Sequence, residues 1–328
     1  MSWSQFIAAQ PLADHAEAST APALSHCDHL AVIRAYGEEA GHYLQGQLSC
    51  DLHEVDNGGH LTGMHLSLKG RGLVSVRIVQ DGDDYLMLCP AGQSEAVIKS
   101  LMKYRLRAKV EFQVDEQAVL MGLSGALPAT SPEPGQSGRN GQGLWLRYPN
   151  TDHALLITDT EQAESVWTVL AQDRTATKAN GWRQADIDAG EGMVYPGAED
   201  LFLPQVLNYD VTAGVNFKKG CYTGQEVVAR MHFQGKLKQR MQRIDYTAEV
   251  DLAPGETLRN SDGKAAGEVV SSARNHAGRS ALVVLRRDTD GVLFKDEQPL
   301  NSQLGALPYS LPWNCLLYTS PSPRDSTL

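Results

Sequence analysis

Hydrophobic and polar positions along residues 60–90 follow the patterning of short strands broken by turns. His60–Leu68 runs into a Lys69-Gly70-Arg71-Gly72 turn, Leu73–Val79 follows, and a second turn at Asp81–Asp84 leads into Tyr85–Leu88. Apolar, β-branched runs punctuated by Gly and Asp predict a β-meander. Val97, Leu101 and Tyr104 then recur at helical spacing, before Lys109–Val114 and Ala118–Leu123 return to strand patterning. Strands, a helix and further strands predict an α+β unit over residues 24–123, not a repeating βαβ one.

Residues 124–143 are rich in Ser, Gly and Pro and nearly devoid of apolar side chains, which predicts a flexible loop or linker. A second α+β unit is expected over 144–235, with strands at Leu144–Tyr148 and His153–Asp159 and a helix over Glu161–Gln172. Beyond Gly235 only short β runs and turns remain. Gly267–Ser272, a turn at Asn275–Arg279 and Ala281–Arg286 read as one hairpin, and residues 236–312 as a small β-barrel or sandwich. Residues 313–328 break every pattern and read as a disordered, non-native tail, so Cys315 is set aside.

Composition narrows the class. With 42% hydrophobic and 21% charged residues in 328, large cores can form and wholesale disorder is excluded. The net charge of -10 excludes a globally basic nucleic-acid coat protein. Five scattered cysteines without a CxxC fit neither a disulfide scaffold nor a self-contained metal or cluster site. No basic leader precedes an apolar run and no stretch approaches the roughly 20 apolar residues of a membrane span. A soluble, cytoplasmic protein without a membrane partner is expected.

Charge is unevenly spread. Residues 218–243 carry seven bases (Lys218, Lys219, Arg230, Lys236, Lys238, Arg240, Arg243) against one acid, Glu226. A second run holds Lys99, Lys103, Arg105, Arg107 and Lys109 without an acid. Joined in space they would attract an anion such as a polycarboxylate or an RNA backbone. Within the first run, Gly220 and Gly224 bracket Cys221, Lys218 and Lys219 precede it, and Gln225–Gln234 reads as a helix stopped by Gly235. Basic neighbours and a nearby helix start both favour a thiolate, so Cys221 is the candidate reactive thiol. Cys27, Cys50 and Cys89 read as buried and inert. Walker A, G-x-S-x-G and HExxH motifs are absent from the sequence.

Lys219-Gly220-Cys221-Tyr222-Thr223-Gly224-Gln225-Glu226 resembles the K-G-C-Y-x-G-Q-E signature of the YgfZ family. Tyr43-Leu44-Gln45-Gly46-Gln47, Lys69-Gly70-Arg71, Phe202-Leu203-Pro204-Gln205 and Leu307-Pro308-Tyr309-Ser310 extend the resemblance to roughly residues 24–312. It implies a glycine-cleavage T-protein fold, two α+β domains and a C-terminal β-barrel around a folate cleft. It further implies tetrahydrofolate as cofactor and a role in iron–sulfur cluster assembly or repair and in tRNA modification. Partners would be iron–sulfur assembly proteins or client enzymes, with tRNA as a further candidate. Cys221 could supply one ligand to a transient iron–sulfur cluster shared with a partner. Folate contacts are implied at Trp182 and in the motif region at Lys219, Gly220, Tyr222, Gly224, Gln225, Glu226 and Arg230. Leu30 stands where the family has a second folate-contacting Trp. The T-protein's catalytic carboxylate would fall in Leu73–Arg77, which holds no Asp. A non-enzymatic or weakly catalytic accessory factor is therefore expected, with a folate-dependent aminomethyltransferase as the alternative.

Overall fold

The computed structural model describes residues 2–18, 21–287, 289 and 292–312, so the proposed tail at 313–328 lies outside the described residues. Three sheets build an α+β protein. The first runs in the order His60–Leu66, Gly72–Asp81, Asp84–Pro90, Leu30–Tyr36, Glu111–Val114, antiparallel throughout. Successive side chains on a strand face opposite ways, and this strand set uses both faces. Ile33, Val74, Val76, Ile78 and Met87 pack under the helices Ala40–Gln47, Leu52–Asp56 and Ser94–Met102. Val32, Val79, Leu86 and Leu88 point the other way, into a core shared with the second sheet.

That second sheet runs Thr175–Thr177, Ala23–His26, Ala118–Ser124, His153–Asp159, Gly143–Arg147, Ser137–Asn140. On Ala118–Ser124, Leu120 faces the first sheet, while Val119, Met121 and Leu123 face the helices Trp3–Ala8 and Ala163–Leu170. The result is a four-layer stack of helices, sheet, sheet and helices.

Two features of the sequence-based segmentation change. Ala23–His26 and Ala118–Ser124 pair into the second sheet, although they fall at the two ends of the first segment. The 124–143 segment does not join two separate bodies. It is an ordered excursion inside one sheet, ending in the edge strand Ser137–Asn140 and tied to the first sheet by Ser137 N–H and Oγ donating to the Gly58 carbonyl at 2.8 and 3.0 Å. Hydrogen bonds supplied by another segment replace the hydrophobic anchoring that this stretch lacks.

The third sheet has seven strands, with Gln298–Pro299 at one edge and Ser302–Gly305 at the other. Only Leu300 and Asn301 separate these strands in sequence. A trans chain advances at most about 3.6 Å per residue, so the two edges must curl toward each other. The sheet is a half-barrel around Ile244, Leu258, Val269, Val283 and Leu285. The helix Ala179–Asp188 wedges between it and the second sheet, and the irregular stretch after Asp188 packs Val194, Phe202, Val206 and Tyr209 into the junction between the half-barrel and Met64 and Leu66 of the first sheet.

Candidate functional site

The eight-residue motif forms a turn on the outer side of this junction. Asn216 organises its entry, its Oδ1 accepting from the backbone N–H of Lys218 and Lys219 at 2.7 and 2.9 Å. Lys219 then reaches inward and donates to the carbonyls of Leu48 and Cys50 at 2.8 and 2.6 Å. Burial lowers its pKa to about 8, against the opposing pull of Cys50 and Asp51. Lys219 is therefore a strut that ties the turn to the first domain, where the sequence pattern had suggested a stabiliser of the Cys221 thiolate. Tyr222 is buried beneath it, 5.1 Å from the ammonium by ring centroid. Cys221 is exposed, while Cys27, Cys50 and Cys89 are buried.

The two bracketing glycines differ. Gly224 has φ +81°, and a Cβ there would lie 2.7 Å from the Ser67 carbonyl oxygen and 2.8 Å from the Leu66 Cβ. At Gly220 a Cβ would meet nothing within 4 Å and φ is unremarkable. Gly224→Ala should therefore cost about 1–2 kcal/mol for the left-handed backbone alone, with overlap added, whereas Gly220→Ala should stay within about 0.5 kcal/mol. Urea melts of both variants check this, and equal losses would contradict it. Gln225 opens the helix Gln225–Gln234, and Glu226 and Arg230 project to solvent from it.

A second constellation lies between the sheets. Arg77, on the inward face of its strand, pairs with Glu191 at 2.8 Å, sits 4.1 Å over the Tyr148 ring and donates to His60 Nδ1 at 2.9 Å. Because Nδ1 accepts, His60 Nε2 carries the hydrogen and donates to the Arg147 carbonyl at 2.8 Å. Burial, and then the Arg77 charge, push the His60 pKa down to about 3, so the ring is neutral. Tyr148 donates its hydroxyl to Asp186 at 3.2 Å. Burial raises the Asp186 pKa to about 7, against the nearby Arg77 charge. Strongly perturbed groups gathered at a cavity mark a functional site. Here a cavity of about 280 Å³ is lined by His60, Thr62, Arg77, Tyr148, Thr151, Glu191 and Tyr309, among others. The buried Thr151 hydroxyl has no protein partner, and Glu191 is reached by Thr62 Oγ1 at 3.4 Å. Donors, acceptors and an aromatic wall at this scale fit a flat, nitrogen-rich ring.

None of these lining residues was singled out by sequence patterning except Arg77 and Tyr309, and those for other reasons. The residues expected to contact folate do not line this cavity. Trp182 is 1% exposed. Its ring lies flush on Gly122, where any Cβ would overlap it, with the edges of Tyr148 and His153 at 5.6 and 6.3 Å. It shares a core with the half-buried Leu30. Stacking of a ligand on Trp182 is thus not what this conformation provides; the ring is a packed wall. No residue of Lys219–Glu226 lines this cavity or the larger one of about 410 Å³ between the Ala179–Asp188 helix and the half-barrel. Cys221 is exposed and lines neither of these cavities. The strand His60–Leu66 spans the two places, with His60 and Thr62 at the cavity and Leu66 against Gly224. Thr62 and Leu66 are four steps apart on the strand, roughly 13 Å.

No family model matches the chain. The tRNA-modifying protein YgfZ of Escherichia fergusonii is 27% identical over 307 residues, covering 87% of this chain and 92% of the relative. The proteins of the same name from Escherichia coli O7:K1 and Shigella boydii serotype 4 match to the same extent. The chain is thus similar to the YgfZ proteins over most of its length. Its fold is also that of the glycine cleavage system aminomethyltransferase T from Bartonella henselae, with a TM-score of 0.70 over 89% of this chain and 87% of that one. Sequence identity there is 15%, so the likeness to this neighbour concerns fold alone, while the YgfZ relatives carry the sequence kinship. Among the described residues, no helix is long and apolar enough to cross a membrane.

Proposed function

We propose that the protein is a tetrahydrofolate-binding accessory factor that supports tRNA modification and the upkeep of iron–sulfur enzymes, with Cys221 as its working thiol. The observation that carries the cofactor half is the cavity at the sheet junction, with Glu191, Thr62 and the unpartnered Thr151 hydroxyl on its wall. A carboxylate matches the paired N–H donors of a pterin, and the hydroxyls can serve its ring oxygen and nitrogens. When bound, tetrahydrofolate would supply one-carbon or redox chemistry. The chain's own groups would orient the ring and exclude water. The inward face of Gly72–Asp81 presents Arg77 to the cavity, a cation where a transferase of this fold is expected to place its carboxylate. This favours the accessory role over aminomethyl transfer. The working-thiol half rests on Cys221, the exposed cysteine of the four in the described residues, held in a turn pinned at Asn216, Lys219 and Gly224.

Calorimetric titration with tetrahydrofolate under reducing conditions tests the cofactor site. Val211 lies at the cavity and is 37% exposed, so Val211→Trp should obstruct the cavity without disturbing a core. At least a tenfold loss of affinity with an unchanged melting temperature is expected. Ala277→Trp, at the larger cavity, should bind normally. The reverse pattern would move the cofactor to the larger cavity, and no binding by the unaltered protein would end the cofactor reading.

A further inference from the structure

The seven bases of residues 218–243 do not act together. Arg240 is buried in a bidentate pair with Asp210, at 2.9 and 2.7 Å. Arg243 bridges Asp188 and Asp245 at 2.7 and 3.0 Å, and Lys219 is the strut described above. In the second basic run, Arg105 and Lys109 are paired with Glu111 and Glu38, both at 2.6 Å. Lys99, Lys103 and Arg107 of that run stay exposed without an ion pair among the described residues, and so, in the motif run, do Lys218, Arg230, Lys236 and Lys238. Lys69 joins them from the hairpin turn that packs on the motif helix, Gly70 lying against Val227.

Aromatic rings lie among these cations. Phe217 stacks on His232 with centroids 3.8 Å apart and planes 16° from parallel. Phe233 stands edge-on to His232 at 4.8 Å and is 71% exposed. Phe217, His232 and Phe233 form one aromatic cluster, and an exposed ring flanked by unpaired cations suits a partner that is both flat and anionic. An acidic protein surface would complement the charge but leave the ring ladder unused. Nucleic acid without a duplex presents both base faces and phosphates.

We propose that the face formed by the Lys69 turn, Lys218 and the Arg230–Lys238 segment binds single-stranded RNA beside Cys221, with a base stacked on Phe233 and phosphates on the cations. The proposal rests on the tRNA-modification reading and names the part of the molecule that meets the RNA. Cys221 lies four residues from Phe217 in the same turn, so bound RNA would sit next to the thiol.

Fluorescence anisotropy with a labelled, unstructured 12-nucleotide oligoribonucleotide tests this on the full chain. Binding should weaken steeply with salt, and Lys236→Gln with Lys238→Gln should flatten the logarithmic slope by about 1.4, near 0.7 per lost contact. Phe233→Leu keeps an apolar side chain but no stacking face, and should bind roughly fivefold or more weakly. Phe233→Trp should restore binding. No binding in about 50 mM salt, equal binding by Phe233→Leu, or equally tight binding of a polyglutamate peptide would each overturn the proposal, the last assigning the face to an acidic protein. Tetrahydrofolate titration of the same variants separates the two readings. RNA binding lost with folate binding intact matches the surface proposal, whereas folate binding absent throughout would instead strike the cofactor site.

Discussion

Arg77→Met is expected to lose about 3–5 kcal/mol of stability at neutral pH, the cost of leaving a buried counter-charge without its partner. Arg77 is 5% exposed and is the cation that faces Glu191, Asp186 and the Tyr148 ring. Methionine fills similar volume, so the loss reports charge more than cavity formation. Its pH dependence is diagnostic. Burial already holds Asp186 near 7 with the cation present, and without Arg77 its folded pKa moves further above the unfolded one. The folded state then binds more protons than the unfolded state from the unfolded pKa of about 4 upward. Stability of the variant must therefore rise as pH falls through that window, and the deficit against the unaltered protein should shrink. Urea unfolding at about pH 5.5 and about pH 7.5, below and above the Asp186 pKa of about 7, reads both numbers. A deficit under about 1 kcal/mol at both, or one that grows in acid, would remove Arg77 as the keystone of the cluster.

How much of this was legible in the sequence depends on the range of each interaction. The helix Gln225–Gln234 coincides with its sequence reading because both ends are set locally, by the left-handed Gly224 before it and Gly235 after it. The hairpin Ala265–Asn275 to Gly278–Arg286 was legible for the same reason, since its turn residues lie between its strands. Partner choice was not. Alternation identifies Ala118–Ser124 as a strand but is silent on whether it pairs with its own segment or with His153–Asp159. The inward reach of Lys219 was not legible because its acceptors, the Leu48 and Cys50 carbonyls, lie some 170 residues away in sequence. The cavity draws residues from several separated segments, so no spacing could announce it. One signal was present and unused: Arg77 interrupts Val74-Ser75-Val76-Arg77-Ile78-Val79, a strand buried on both faces. A charge inside such a run must find a buried partner, and that requirement points to a site. Trp182 shows the converse: family resemblance gave it a ligand, and packing against Gly122 gave it a core role.

Cys221→Ser should fold and bind tetrahydrofolate like the unaltered protein, yet fail to restore iron–sulfur-dependent tRNA modification in cells lacking the native protein. The side chain is exposed, lines neither cavity and is one atom different, so neither stability nor the cofactor site has reason to change. What changes is the nucleophile. The other described thiols cannot substitute: burial pushes Cys50 and Cys89 up to about 12, and raises Cys27 well above its ordinary value. Thiolate chemistry in the described residues therefore falls to Cys221. In a Cys315→Ser background, which removes the thiol outside the described residues, native iodoacetamide labelling followed by mass spectrometry should find modification at Cys221 and essentially none at Cys27, Cys50 or Cys89. Labelling and complementation test separate steps, accessibility and use. Labelling confined to Cys221 with full complementation by Cys221→Ser would leave an accessible but idle thiol, and the function would then rest on the cavity between the sheets.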